Sequence, residues 1–341
     1  MASGALDRPA ALDLLADGAW HSGVELGRVL GLSRAAIWKQ VRALRALGLS
    51  ISAERRRGYR LAPPLDLLRE PLIRAALAPA TAAALEALEL PVIIASTNDG
   101  LTGRRPPAPG RLLAIAAEYQ TGGRGRRGRR WLSPLGHGIC LSVGWSFDTA
   151  PRDLPALSLV AGVAVVEALA ARGVQGVQLK WPNDIVAAGG KLGGILVEVA
   201  GEPGGPLRVV VGIGLNVRSL AAISTDLRIE GGALPAVALD DLAQGGHAGR
   251  NELVAALLDA LYRSLQRFGT AGSGSFLDAW RRQDCLAGQP VQVSQGEVSF
   301  TGIARGVADD GALLVERDGA LVAVVAGDVT LRGPAGPGRM A

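Results

Sequence analysis

Over residues 10–61 the apolar positions first recur at helical spacing and then alternate. Residues 10–16 carry a short apolar stripe and predict a first helix. Ser22, followed three residues later by Glu25, is a capping-box arrangement in which each residue satisfies a free backbone donor of the other. A second helix is therefore expected over residues 23–30. Gly31-Leu32 makes a tight turn, and Ser33 caps a third helix over residues 34–47. Its positions Ile37, Val41, Leu44 and Leu47 fall on one face, while Arg34, Lys39, Arg42 and Arg45 fall on the other. Gly48 ends it. Residues 49–61 then alternate around Arg55-Arg56-Arg57-Gly58, the pattern of a β-hairpin with a basic tip.

Pro63-Pro64 marks a linker, and residues 66–77 begin a new helical pattern. Short runs read as strands follow at residues 91–95, 112–117, 138–145, 177–179, 195–199 and 209–214, with helices at 154–171 and 251–268. Strands are often joined directly as hairpins, so this region is α+β and not a regular βαβ alternation. The longest apolar stretch, 154–171, is interrupted by Glu167 and flanked by Pro151, Arg152 and Pro155; it reads as a buried helix, too short for a membrane span. After Cys285, short strands near Val291 and Phe300 and at 313–316, 322–325 and 329–331 alternate with turns at Gly296, Asp309-Asp310-Gly311 and Asp318-Gly319. That is a small β-barrel. The domains expected are 1–64, 65–284 and 285–335.

At 341 residues, 48% hydrophobic and 20% charged, the chain has ample material for a core and is not disordered. Two distant cysteines, Cys140 and Cys285, make no disulfide framework, and three scattered histidines make no zinc cluster. The N-terminus lacks a basic segment followed by an apolar one, so the cytoplasm is the expected compartment and no membrane partner is expected. The net charge of +5 is unevenly spread. Residues 1–64 hold ten Arg/Lys against five Asp/Glu, and the remaining chain is neutral with 26 of each sign.

This basic excess lies on the segment ordered helix, helix, turn, basic helix, basic hairpin, which is the order of a winged helix-turn-helix. The third helix would enter the major groove and the wing would touch backbone or minor groove. The candidate DNA-facing residues are Ser33, Arg34, Trp38, Lys39, Arg42, Arg55, Arg56 and Arg57. Trp38 puts a bulky ring where a polar residue would suit base reading better. The alternative is a protein-interaction domain with a solvated basic face.

Residues 122–131 read GGRGRRGRRW, five arginines and four glycines in ten positions. Glycines let backbone approach a ligand closely, and arginines supply charge-assisted donors for carboxylate or phosphate. So dense a run of one charge repels itself unless an anion is bound; a solvated basic loop or nucleic-acid arm is the bland alternative. Because the DNA-binding excess lies elsewhere, an anionic small-molecule cradle is the better reading. Three further segments stand out: Ser96-Thr97-Asn98-Asp99 after an apolar run, KWPNDI (180–185) with KLGGILVE (191–198), and GIGLNV (212–217). Alone, the Ser-Thr-Asn sequence is as readily a helix cap or turn.

STND, EYQTGGRGRRGRRW, KWPNDI, KLGGILVE and GIGLNV, in this order, resemble the bacterial biotin protein ligases. With the N-terminal helix-turn-helix the chain resembles the bifunctional biotin ligase and biotin-operon repressor, from Leu12 to about Leu331. The resemblance implies a central mixed-sheet, class II synthetase-like domain followed by an SH3-like barrel. It implies activation of biotin by ATP to biotinyl-5′-adenylate, then transfer to a lysine of the biotin carboxyl carrier protein. By that resemblance Ser96, Thr97, Asn98 and Gln120 would bind biotin's polar head. Arg124, Gly125 and Arg126 would lie over its carboxylate and the phosphate, with Arg126 retaining the intermediate. Lys191 would be the catalytic lysine, Lys180 its neighbour, and Asp184 and Asn183 organisers of the site or of Mg²⁺. Arg129, Trp131 and Asn216 would approach the nucleotide. No dedicated metal site is expected, Mg²⁺ being held mainly by ATP phosphates. Trp131 and Trp181 line or support the pocket. Residues 218–232 are too weakly patterned to assign an adenine contact, and loops 122–130 and 218–232 are expected to order on ligand binding. Operator DNA and a homodimer in the adenylate-bound state are the implied partners. The alternatives are a ligase whose N-terminal domain does not regulate, and a DNA-binding biotin sensor without catalysis.

Overall fold

The computed structural model describes residues 9–201, 206–219, 234–242 and 249–331. The first region contains α1 (Ala10–Leu15), α2 (Gly23–Leu30), α3 (Arg34–Ala46) and the antiparallel hairpin of β1 (Ile51–Glu54) and β2 (Gly58–Leu61). Both caps read from the sequence are present, the Ser22 and Ser33 hydroxyls accepting from the amides of Glu25 and Ala36. Leu12, Leu15, Leu26, Ile37, Val41 and Leu44 close the core. That core does not stop at Pro64. It continues into Leu67, Val92, Ile93 and Leu135, with Tyr119 packed against it.

The helix expected from residue 66 begins only at Glu70 (α4, Glu70–Ala76). Residues 66–69 are held outside it by a buried network. Leu68 N donates to Glu118 Oε1 at 2.6 Å, while Asp66 Oδ2 accepts from Arg250 N at 2.6 Å. The Arg250–Glu118 pair at its centre, 2.7 Å apart, is 1% and 2% exposed. It is satisfied further by Arg250 donating to the carbonyls of Gly138 and Asp66.

After α5 (Pro79–Ala84) come β3 (Leu85–Glu89), β4 (Ile93–Ile94), α6 (Thr97–Thr102), β5 (Leu112–Ala117), β6 (Tyr119–Gln120) and β7 (Gly138–Phe147). Then follow α7 (Leu157–Ala170), β8 (Val177–Lys180), β9 (Asp184–Ala187), β10 (Gly190–Gly201), β11 (Leu207–Asn216), α8 (Leu239–Leu242), α9 (Arg250–Ala271) and α10 (Gly274–Gln283). The predicted helix 154–171 is split, its first turn being 3₁₀ over Leu154–Ala156. Seven strands form a mixed sheet in the order β3-β5-β7-β11-β10-β9-β8, with only β3–β5 parallel. β4 and β6 make a separate parallel pair.

Strand alternation divides this sheet into two faces. Ile139, Leu141, Val143, Trp145 and Phe147 of β7 and Val209, Val211, Ile213 and Leu215 of β11 join the main core, which α7 and α9 cover. The intervening residues form the opposite face, where α6 packs and the site lies. The last region, β12 (Pro290–Gln295), β13 (Val298–Val307), β14 (Leu313–Arg317), β15 (Ala320–Val324) and β16 (Asp328–Leu331), is an antiparallel sheet in the order β15-β14-β13-β12-β16. Val291, Val293 and Leu313 belong to the same apolar core as the central sheet, and Trp181 Nε1 donates to Gly311 O at 3.0 Å across the junction.

Candidate active site

The strand register assembles the site. Lys180, Asp184, Gly194, Gly214, Cys140 and Ala117 lie side by side across six strands, and Leu196, Gly212, Ser142 and Ile115 form the next row. Glycines in these rows let groups lie directly on the sheet. A Cβ at Gly212 would come 2.2 Å from Asn98 Oδ1, and one at Gly214 would come 2.3 Å from the Trp131 ring. Burial pushes the Cys140 thiol up to about 11, so this residue stays a neutral thiol in the floor.

The small polar residues meet at one end. Ser96 caps α6, its hydroxyl accepting from Asp99 N at 3.4 Å, so STND is a helix cap as well as a candidate recognition element. Gln120 Oε1 accepts from Thr97 N at 2.8 Å and lies 3.1 Å from Thr97 Oγ1, which leaves the Gln120 amide nitrogen to face Gly123. Asn98 is already engaged within the protein. Its Oδ1 accepts from Ser142 Oγ at 2.6 Å and its Nδ2 donates to Glu198 Oε2 at 2.8 Å. Asn98 thus braces this end of the site, beside Thr97 and Gln120.

At the other end Asp184 bridges two lysines. Its Oδ1 lies 2.5 Å from Lys191 Nζ and its Oδ2 lies 3.4 Å from Lys180 Nζ. Lys191 is further stitched in by its backbone, its amide donating to Pro235 O at 2.7 Å and its carbonyl accepting from Val237 N at 3.0 Å. Asn216 spends its amide nitrogen on the carbonyls of Val237 and Lys191. Asn183 donates to Ile195 O at 2.7 Å. Both asparagines therefore fix the strands that carry Asp184 and Lys191.

The arginine-rich segment is folded, with a 3₁₀ turn at Arg126–Gly128 and Gly125 N donating to Arg129 O at 2.7 Å. Its charge is met by the protein's own carboxylates. Arg124 pairs with Asp99 and, at 2.8 Å, with Glu198. Arg127 and Arg129 both reach Asp328, at 3.2 and 2.5 Å. Arg129 thus turns towards the C-terminal sheet. Arg126 is different: its Nη1 is buried with no protein partner. It lines a cavity of about 360 Å³ with Ser158, Trp181, Asn183, Val197 and Asp310. Burial lowers the Arg126 guanidinium from its usual range, opposed by Asp328 and Asp184. Of the second expected loop, residues 220–232 lie outside the described residues. Glu198, Ser142 and Asp328 were given no role in the sequence. Ser142, a fully buried polar residue between Leu141 and Val143 in β7, carries a readable signal; Asp328, some 200 residues from its partners, carries none.

On the N-terminal region Arg34, Trp38, Lys39 and Arg42 are exposed on α3, Trp38 at 51% with the Arg42 guanidinium 5.5 Å from its ring. At the wing, Arg55 and Arg56 lie at the exposed tip. Arg57 turns back onto the Trp20 ring at 4.3 Å and onto Glu54 at 3.0 Å.

Residues 90–216 match the Biotin/lipoate A/B protein ligase family, 11–60 an HTH domain and 287–332 the Biotin protein ligase C terminal domain. The chain is 37% identical to the bifunctional ligase/repressor BirA of Salmonella typhimurium and 36% identical to that of Escherichia coli. Each match spans 94% of this chain, and 96% and 95% of those proteins. The chain belongs to the bifunctional biotin ligase/repressor family. Among solved structures, the biotin protein ligase of Aquifex aeolicus in complex with biotin and ATP matches with a TM-score of 0.58 at 26% identity. That match covers 73% of this chain and 98% of the other. The biotin ligase family therefore accounts for the mixed sheet, the helix-turn-helix before it and the antiparallel sheet after it. Among the described residues no helix is long and apolar enough to cross a membrane.

Proposed function

We propose that this chain activates biotin with ATP and passes it to a lysine of the biotin carboxyl carrier protein, and that its N-terminal region uses the activated intermediate to control binding of operator DNA. In the first step a biotin carboxylate oxygen attacks the α-phosphorus of ATP and pyrophosphate leaves. In the second the carrier's lysine amine attacks the acyl carbon, losing a proton, and AMP leaves. Both reactants of the first step are anions, so the work of the protein is to hold positive charge at the point of attack.

The observation that supports this reading is the placement of Lys191 and Lys180 on Asp184 on the site side of the sheet, with Thr97 and Gln120 at the α6 end of that face; Arg126, its buried Nη1 without a partner, lines a cavity that also takes in Asn183, the residue before Asp184. Thr97, the Gln120 amide and Ser96 would take biotin's polar head. Arg126, with Arg124 and the Gly125 backbone, would cover the carboxylate and phosphate. Lys191 and Lys180 would meet the phosphate as point charges, held in place by Asp184. Mg²⁺ would arrive on the ATP phosphates and neutralise charge there, with Asp184 as the carboxylate facing it. Asn183, Asn216 and Trp131 would border the nucleotide. The adenylate-bound form would dimerise so that two copies of α3 meet a two-part operator.

Two assays test this. Labelled biotin should pass to an isolated carrier domain in an ATP-dependent way; binding of biotin without transfer would leave only a sensor. A gel shift on the DNA upstream of biotin biosynthesis genes should strengthen with biotin plus ATP. A shift indifferent to both would leave a ligase without regulation.

A further inference from the structure

We propose that Asp328, on the C-terminal sheet, is a positioning residue for the arginine loop, gathering Arg127 and Arg129 onto one carboxylate so that Arg126 is presented to the ligand's anion. The inference rests on the reading above that Arg126 retains the adenylate. Asp328 is the first residue of β16, and its Oδ2 accepts from Arg127 Nη1 at 3.2 Å and Arg129 Nη2 at 2.5 Å. These two arginines flank Gly128, and Arg127 adopts a left-handed backbone with φ 55. Arg129 N donates back to Arg126 O at 3.2 Å, closing the turn. The Asp328 charge also reaches Arg126, but the buried Nη1 of Arg126 has no partner, and the residue lines the cavity with Trp181, Asn183 and Ser158.

The charge arithmetic explains why a carboxylate belongs there. Arg126, Arg127 and Arg129 are three like charges within four residues, and in a partly dry site they repel and compete for the same anion. Asp328 neutralises one charge and anchors two side chains. It leaves a single cation facing the cavity, already in place when the phosphate arrives. Asp328 touches no reacting atom in this scheme; it acts through the loop.

The test compares full-length Asp328→Asn with the native chain. After loading with biotin, ATP and Mg²⁺, release of adenylate is followed during a chase with excess unlabelled biotin. Asp328→Asn should release it about fivefold faster, the effect of losing one charge-assisted contact. Affinity for biotin alone should be unchanged, a split that a merely structural role would not produce. Asp328→Glu should restore retention. Release at the native rate overturns the proposal. If Asp328→Asn melts early, Arg129→Gln removes the contact from the loop side, and native retention there overturns it equally. If the native chain holds no adenylate, the functional reading fails instead. Trypsin cleavage of the ligand-free loop then decides for Asp328: faster cutting after Arg127 and Arg129 in Asp328→Asn supports it, and equal rates overturn it.

Discussion

Lys191 Nζ lies 2.5 Å from Asp184 Oδ1 because β10 carries a bulge between Lys191 and Gly193. Strict alternation from Gly194, which pairs with Asp184, would turn Lys191 to the opposite face. The extra residue, Leu192, drops into the core and brings Lys191 round to the site, opposite Val186. A bulge beside a reactive group is thus what aims this lysine.

Replacing Lys191 by Gln should leave the fold intact and cut adenylate formation by roughly 10²–10³-fold, the usual loss when one preorganised charge at developing transition-state charge is removed. ATP–pyrophosphate exchange measures it directly; a loss under tenfold would mean that Lys191 does not meet the phosphate.

Gly212→Ala places a methyl 2.2 Å from Asn98 Oδ1, so Asn98 must leave its contacts with Ser142 and Glu198. Overpacking of this kind typically costs roughly 1–3 kcal/mol. Biotin affinity should fall with it, since Thr97 is the neighbour of Asn98 on α6. Calorimetry of biotin binding alone checks this, and native affinity would contradict it.

The N-terminal and central regions are unequally legible in the sequence. The N-terminal helices were read nearly residue by residue because their signals, Ser22 with Glu25 and the Ile37–Val41–Leu44 spacing, are local. In the central region the arginine run could be read as an anion cradle. Its internal partners Asp99, Glu198 and Asp328 could not, since sequence separation hides them. Asn98 and Asn216 looked like ligand contacts, and the structure spends their amide nitrogens on the protein. β9 was missed because four residues after KWPN are too few to show alternation, and α6 because its capping residues resembled a turn.

Asp284 gives the fold a pH dependence. Burial pushes its carboxyl up from 3.8 to about 6, partly offset by the Leu286 amide, and its Oδ2 has no partner. Below 3.8 the group is protonated whether the chain is folded or not, so it makes no difference there. As pH rises to about 6 the unfolded chain releases the proton while the folded chain holds it, so stability falls; above about 6 the loss is constant. Asp284→Asn should flatten that part of the profile in denaturant titrations, whatever constant offset it adds. An unchanged slope between pH 4 and 6 would count against a raised carboxyl.

At the wing, Arg57 is occupied by Trp20 and Glu54, whereas Arg55 and Arg56 stand at the tip. Arg55→Ala or Arg56→Ala should weaken DNA binding and reduce the salt slope by about one, while Arg57→Ala should change the slope little. Binding isotherms at several salt concentrations separate the three; an equal slope change for Arg57→Ala would mean that this arginine leaves Trp20 for the phosphate backbone.

The central claim is that the arginine loop and Lys191 together make and keep an activated biotin. Native mass spectrometry after incubation with biotin, ATP and Mg²⁺ tests it most directly. The native chain should carry a retained biotinyl-adenylate. Arg126→Gly should form the intermediate but lose it to solution, and Lys191→Gln should show biotin alone. A native chain that holds biotin and ATP side by side without joining them would contradict the account.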